Sequence, residues 1–187
     1  MRLDHDSELA IEEAVALLNA DGHDGGPDVL ASVETLTAFL DERGISGSRP
    51  ETDGELRGVR RMRSRLRGVF DAAAAGDRDA AVAELNAVIA DAGAVPYLTE
   101  HDGNPLHLHY TPMDAPVHHR LGAEMAVALA IVLRDGGLDR LRVCESPGCG
   151  DVLVDLSRNR SRRYCDVQCA NRQHVAAYRR RRSGAAG

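Results

Sequence analysis

Cys144, Cys149, Cys165 and Cys169 fall as Cys-x4-Cys-x15-Cys-x3-Cys within 26 residues, and they are the only cysteines in a chain of 187. The start of the chain, MRLDHDSELA, lacks the apolar region of a signal peptide, so a cytoplasmic location is expected. Thiols stay reduced there, and close cysteine pairs then favour a metal over disulfides. Zinc suits such a set because it prefers a tetrahedral thiolate site; an iron–sulfur cluster or a catalytic metal is the remaining alternative. The first pair flanks Pro147-Gly148, which can form a tight knuckle. The second pair, at i and i+4, opens a predicted helix and brings both sulfurs to one side of its first turn. Asp151 to Leu156 reads as half of a hairpin between them. Together these elements predict a treble-clef or zinc-ribbon-like finger over residues 138–187. So small a module has too few apolar side chains to fold alone, and a structural zinc contributes about 10 to 16 kcal/mol in finger peptides. One structural Zn²⁺ is therefore the expected cofactor.

The net charge of −6 conceals an asymmetry. Residues 138–187 hold 11 Arg against 5 acidic residues, giving +6, whereas residues 1–137 hold 12 Arg against 24, giving −12. Four thiolates on one Zn²⁺ carry a charge of about −2 and leave the module near +4, still attractive to phosphate. Arg158, Arg160, Arg162 and Arg163 precede the third cysteine; Arg172 and Arg179 to Arg182 follow the fourth. On a helix Arg172 and Arg179 project within about 20° of each other, forming a basic stripe. Val167, Asn171, Val175 and Tyr178 form a separate apolar stripe, expected to pack on the acidic domain or on a second protomer. Clustered guanidinium groups suit bidentate contacts to phosphate, and the alternative is a solvated face ending in a disordered tail at 179–182.

The acidic part, residues 1–137, reads as mainly helical. Glu8 to Asn19 is a helix or a buried strand, which periodicity cannot separate over so short a run. Asp28 is a plausible N-cap for a helix carrying Leu30, Val33, Leu36 and Leu40 and ended by Gly44. Thr52 and Glu55 have capping-box spacing ahead of Leu56, Val59, Met62, Leu66, Val69 and Phe70. A further helix spans about Asp77 to Asp91. The segments VPYLT and PLHLHY flank His101-Asp102-Gly103-Asn104, which suits a small hairpin with an Asp-Gly turn. Asp114 and Pro116 mark the start of a helix whose Leu121 to Leu133 stretch is apolar nearly all round, hence central and buried. With aromatic residues at only 3%, the core must be built mostly from Leu, Val and Ala. No apolar run reaches the roughly 20 residues of a membrane span. The expected fold class is mainly α (α+β), a helical domain with one small hairpin followed by the finger.

From Cys144 the residues Cys144-x4-Cys149, Asp155-Leu156-Ser157-Arg158-Asn159-Arg160-Ser161-Arg162-Arg163-Tyr164-Cys165 and Cys169-Ala170-Asn171-Arg172 resemble the bacterial CGNR zinc-finger family. The match covers about 40 residues, and it implies structural roles near zinc for Tyr164 and Asn171. Ala170 stands where the family name has Gly, Tyr164 where Trp is common, and three residues separate the last cysteine pair where many members have four. The family usually carries its finger behind an α-rich ABATE domain described as a stress-induced transcription regulator. A typical apolar segment ending in Asn has a loose counterpart in Val15 to Asn19.

These readings point to a DNA-binding transcription regulator. Arg158, Arg160, Arg162, Arg163, Arg172, Arg179 and Arg180 are its candidate nucleic-acid contacts, and DNA its expected partner. The acidic domain would mediate homodimerisation or sense a signal such as a small-molecule ligand. An RNA- or ribosome-associated protein and a protein–protein interaction module are the alternatives. No catalytic residue is assigned. The chain has no phosphate loop, no nucleophile motif and no metal site with an open position, and His174 alone does not supply a nuclease centre. His107, His109, His118 and His119 raise the alternative of a second metal or ligand site, against which stands the lack of carboxylate or cysteine partners at metal-binding spacing. Arg57, Arg60, Arg61, Arg63, Arg65 and Arg67 are expected to pair with the domain's own acids, the alternative being an extension of the phosphate-binding surface.

Overall fold

The computed structural model describes residues 3–22, 26–100 and 106–184. Five helices build the acidic part: α1 (His5–Asn19), α2 (Val33–Glu42), α3 (Asp53–Ala74), α4 (Arg78–Asp91) and α5 (Val117–Gly136). Strands β1 (Tyr97–Thr99) and β2 (His107–His109) lie between α4 and α5, and a 3₁₀ turn at Leu138–Arg140 leads into β3 (Leu141–Val143), β4 (Val152–Val154) and α6 (Val167–Gly184).

The ambiguous first segment is a helix. Asp4 caps it by accepting the Ser7 N–H at 2.7 Å, and Ile11, Ala14, Leu17 and Leu18 line its buried face. The expected cap of α2 is corrected: Ser32, not Asp28, opens that helix, in a reciprocal capping box with Thr35. Asp28 is engaged elsewhere, accepting Leu30 N–H at 2.9 Å and pairing with Arg63 at 2.7 Å. Thr52 and Glu55 form the predicted box on α3, and Asp77 caps α4.

Helix α5 is central. Leu121, Met125, Leu129 and Val132 pack with Leu56, Val59, Leu66 and Phe70 of α3 and with Leu85 and Val88 of α4 in one core. Close approach of α3 to the first turn of α5 depends on Gly58, where an added Cβ would lie 2.6 Å from the His118 ring. Strands β1 and β2 pair antiparallel with Leu98 opposite Leu108. The Asp-Gly turn assigned to residues 101–104 lies outside the described residues.

Among the described residues, α3 forms the Arg–acid pairs Arg63–Asp28, Arg65–Asp91 and Arg67–Asp71, while Arg60 donates to the carbonyls of Leu30 and Ala31. No helix of the described residues is long and apolar enough to cross a membrane.

The β3–β4 hairpin of the finger shares the helical core: Leu141, Val152 and Val154 are buried with residues of α1 and α3. Asn19, the last residue of α1, clasps the open edge of β4. Its side-chain amide donates to Val152 O at 2.9 Å and accepts Val152 N–H at 2.7 Å, as a neighbouring strand would. The apolar stripe on α6 differs from expectation. Val167, Val175 and Tyr178 are 73%, 48% and 54% exposed, so within one protomer they do not pack on the acidic domain. The hairpin makes that attachment, because its Leu and Val side chains alternate onto the core while α6 runs on beyond it.

Candidate metal centre and nucleic-acid interface

The knuckle follows from local chemistry. After β3, Cys144 donates its N–H to Asp151 O at 2.8 Å, extending the hairpin by one rung. Cys149 N–H then bonds Ser146 O at 3.0 Å, and the turn places Gly148 at φ +78°, a conformation that suits a residue without a Cβ. Across the hairpin, Arg142 stands opposite Leu153 and Val143 opposite Val152. Asp166 organises the second pair: its carboxylate accepts Cys169 N–H at 2.6 Å and its carbonyl accepts Ala170 N–H, so it caps α6. Cys165 sits just before the helix and Cys169 in its first turn.

All four sulfurs lie within 4.8 Å of one another, with Cys149–Cys165 at 3.7 Å and Cys165–Cys169 at 3.5 Å. A tetrahedron of Zn–S bonds near 2.3 Å has sulfurs about 3.8 Å apart, so the spacing fits one zinc ion. Leu153 and Tyr164 pack against the sulfur cluster, and Cys144 and Cys169 are buried. Knuckle, hairpin and helix-borne ligand form the treble-clef-like arrangement that the spacing predicts. Among the described residues this is the one cluster of histidine, cysteine or acidic side chains fit to hold a metal; His109 instead pairs with Glu124 at 2.9 Å.

Comparison with known families agrees with this geometry. The profile of the CGNR zinc finger matches residues 140–182. That of the ABATE domain, described as "Putative stress-induced transcription regulator", matches residues 13–136. The chain belongs to the ABATE family. No curated protein matches it. In this ABATE protein the four clustered cysteines are consistent with one structural zinc ion, which Cys144, Cys149, Cys165 and Cys169 would hold with no ligand position left open.

The connection between β4 and α6 carries four of the candidate arginines, and its shape depends on a residue the sequence reading missed. Asp155 is fully buried and accepts the N–H groups of Ser157 and Arg162, both at 2.9 Å. Burial pushes its pKa up, but these hydrogen bonds outweigh burial and hold it below the ordinary value. Arg140, only 6% exposed, donates to the carbonyls of Asp155 and Ser157. Arg142 donates to those of Asp139, Arg160 and Arg162. The ABATE protein thus uses guanidinium N–H groups as donors to the backbone carbonyls of this segment. Only the Asp155-Leu156-Ser157 turn pattern could have marked Asp155 in advance.

The candidate arginines separate into classes. Arg160 pairs with Asp139 at 2.8 Å, and Arg163 pairs with Glu145 while lying 5.8 Å from the centre of the Tyr164 ring. Arg162 donates to the carbonyls of Tyr164 and Cys165. Arg172 donates to Cys169 Sγ at 2.7 Å, so it is turned from the predicted stripe toward the metal centre. Arg158, Arg179 and Arg180 are exposed, as is Asn171. Gln173 reaches across to Ser146 Oγ at 3.1 Å and ties α6 to the knuckle. Along α6 runs an open groove of about 950 Å³, bordered by Arg162, Arg163, Tyr164, Gln173, His174 and Arg180.

Proposed function

We propose that this ABATE protein is a DNA-binding transcription regulator whose zinc organises a basic surface and takes no part in a reaction. The observation that carries the reading is the groove along α6, where Arg162, Arg163 and Arg180 border one open face. The major groove of B-DNA admits an α-helix, and exposed Asn171 and His174 on α6 are of the types that contact base edges. Arg158, Arg179 and Arg180 would anchor phosphates, with Arg162 and Arg163 holding the loop beside them. Arg160 is committed to Asp139 and serves the loop first. All four ligands being cysteine supports a non-enzymatic role, since no coordination position is left for substrate.

The acidic domain is the sensing part in this reading. Between α1, β2 and α5 lies a cavity of about 190 Å³ bordered by Glu13, His109, Thr111, Arg120 and Glu124, a candidate entry point for a small-molecule signal. Helix α1 joins that cavity to the finger, with Glu13 at mid-helix on the cavity and its last residue, Asn19, on β4.

The test is binding of zinc-loaded protein to selected genomic duplexes across a salt series. Arg158→Ala and Arg180→Ala should each weaken binding and lower the slope of log K against log salt by about 0.9. Structured RNA that outcompetes duplex DNA, or binding indifferent to salt, would overturn DNA as the partner.

A further inference from the structure

We infer that Arg172 belongs to the metal centre: its guanidinium donates to Cys169 Sγ and offsets the excess negative charge of the zinc tetrathiolate. Four cysteinate ligands on Zn²⁺ leave about two negative charges on the sulfurs, and charge removed from water is costly unless it is paired or hydrogen-bonded. Here Cys144 and Cys169 are 6% and 3% exposed and Leu153 is fully buried beside them, so water reaches these two sulfurs poorly. Backbone N–H groups and one side chain meet the sulfurs: the N–H groups of Cys165 and Ser146 bond Cys144, the former reaching Sγ at 3.4 Å, the N–H of Asp151 bonds Cys149, and Arg172 Nη2 reaches Cys169 Sγ at 2.7 Å. Arg172 is the one that brings a full positive charge.

The sequence spacing produces this contact. Arg172 follows Cys169 by three residues on α6, so both side chains emerge on the same face one turn apart. The arginine stem is long enough to bring its guanidinium back onto the sulfur. A phosphate-contacting stripe with Arg179 needs the side chain turned outward instead. Outer partners of metal ligands fix ligand orientation and commonly account for 10- to 100-fold in metal affinity. Arg172 is accordingly a positioning residue for the metal site, whether or not the finger binds DNA.

The experiment measures zinc on the full-length chain without nucleic acid. Competition against a chromophoric chelator should show Arg172→Ala losing zinc affinity about 10-fold or more. Arg172→Lys, which keeps the charge, should recover part of that loss, and Arg172→Gln should recover less. In the Co²⁺-loaded protein, removing the donor from one thiolate should shift the sulfur-to-cobalt charge-transfer bands in Arg172→Ala and leave them in place in Arg179→Ala. Failure of a variant to fold is checked by circular dichroism at saturating zinc, where the native helical signal should return. A zinc affinity within twofold of wild type together with unshifted cobalt bands would overturn the assignment. So would a salt slope of DNA binding, at saturating zinc, reduced by about 0.9 with no change in zinc affinity, because Arg172 would then be a phosphate anchor.

Discussion

In the helical domain Leu17, Leu66, Phe70 and Leu129 are fully excluded from water and packed against one another; arginine pairs with acids at the periphery, as Arg67 does with Asp71, while Arg120, 6% exposed, donates to the carbonyls of Ser46 and Ser48. In the finger the corresponding interior is four sulfurs and Leu153, and arginines enter the structure itself: Arg140, Arg142 and Arg162 close the loop by donating to carbonyls. The difference follows from size. About 140 residues can bury enough apolar surface to offset chain entropy, whereas about 45 cannot and need a metal and polar staples. Arginine-to-carbonyl bonds therefore make up a larger share of what holds the finger than of what holds the helical domain. On α3, Arg63, Arg65 and Arg67 pair with acids and Arg60 donates to the carbonyls of Leu30 and Ala31, whereas in the finger Arg140, Arg142 and Arg162 all donate to the carbonyls of one short segment.

The comparison breaks first at the metal. Removing zinc with a chelator, or changing Cys169→Ser, should unfold the knuckle, the loop and the first turn of α6, on the scale of about 10 kcal/mol. The helical domain should keep most of its circular dichroism signal, since the finger contributes to its core little beyond Leu141, Val152 and Val154, with Leu138 packed against them. Full loss of helix on zinc removal would show that the two regions form a single folding unit.

A smaller effect is expected where the regions touch. Asn19→Ala strips the partner from both polar groups of Val152, and the cost should be about 2 to 3 kcal/mol, read from chemical denaturation of the zinc-loaded protein. Coupling between the regions predicts weaker zinc binding in the same variant. Unchanged zinc affinity would mean that the clasp only holds the hairpin in place.

The smallest effect concerns Glu13 and should leave the finger untouched. Burial pushes its pKa from 4.5 to about 7, with Glu124 and Glu12 adding to the rise and Arg43 opposing it. An acid with a raised folded pKa stabilises the protein below its unfolded pKa, and that contribution is lost as pH climbs through about 7. Glu13→Gln should therefore match wild type below about pH 4.5 and be more stable above pH 7, by about 1 to 2 kcal/mol after solvent screening. Thermal melts from pH 5 to 8 should show the two proteins diverging as pH rises; parallel curves would sink the idea.

Much of this was legible in the residues. Capping boxes at Thr52, the apolar run of α5 and the cysteine spacing are local patterns, and each formed where the pattern predicts it. The N-cap of α2 was misplaced because Asp28 satisfied the local rule equally well. Arg63, 35 residues away, took its carboxylate, and Ser32 was left to open the helix. The helix-or-strand ambiguity of α1 was likewise resolved by packing, since its apolar face is continuous with α5.

By itself the sequence determined the four-cysteine cluster, the helical class of the first domain and the concentration of positive charge in residues 138–187. Ligand spacing, hydrophobic period and charge are properties of short segments, so they survive without tertiary information. Only the tertiary structure decided what each arginine does, which face of α6 stays exposed, and that Asn19 grips β4. Those outcomes depend on which carbonyl, carboxylate or thiolate lies within hydrogen-bond reach after folding, and such partners are separated by up to 133 residues in the chain.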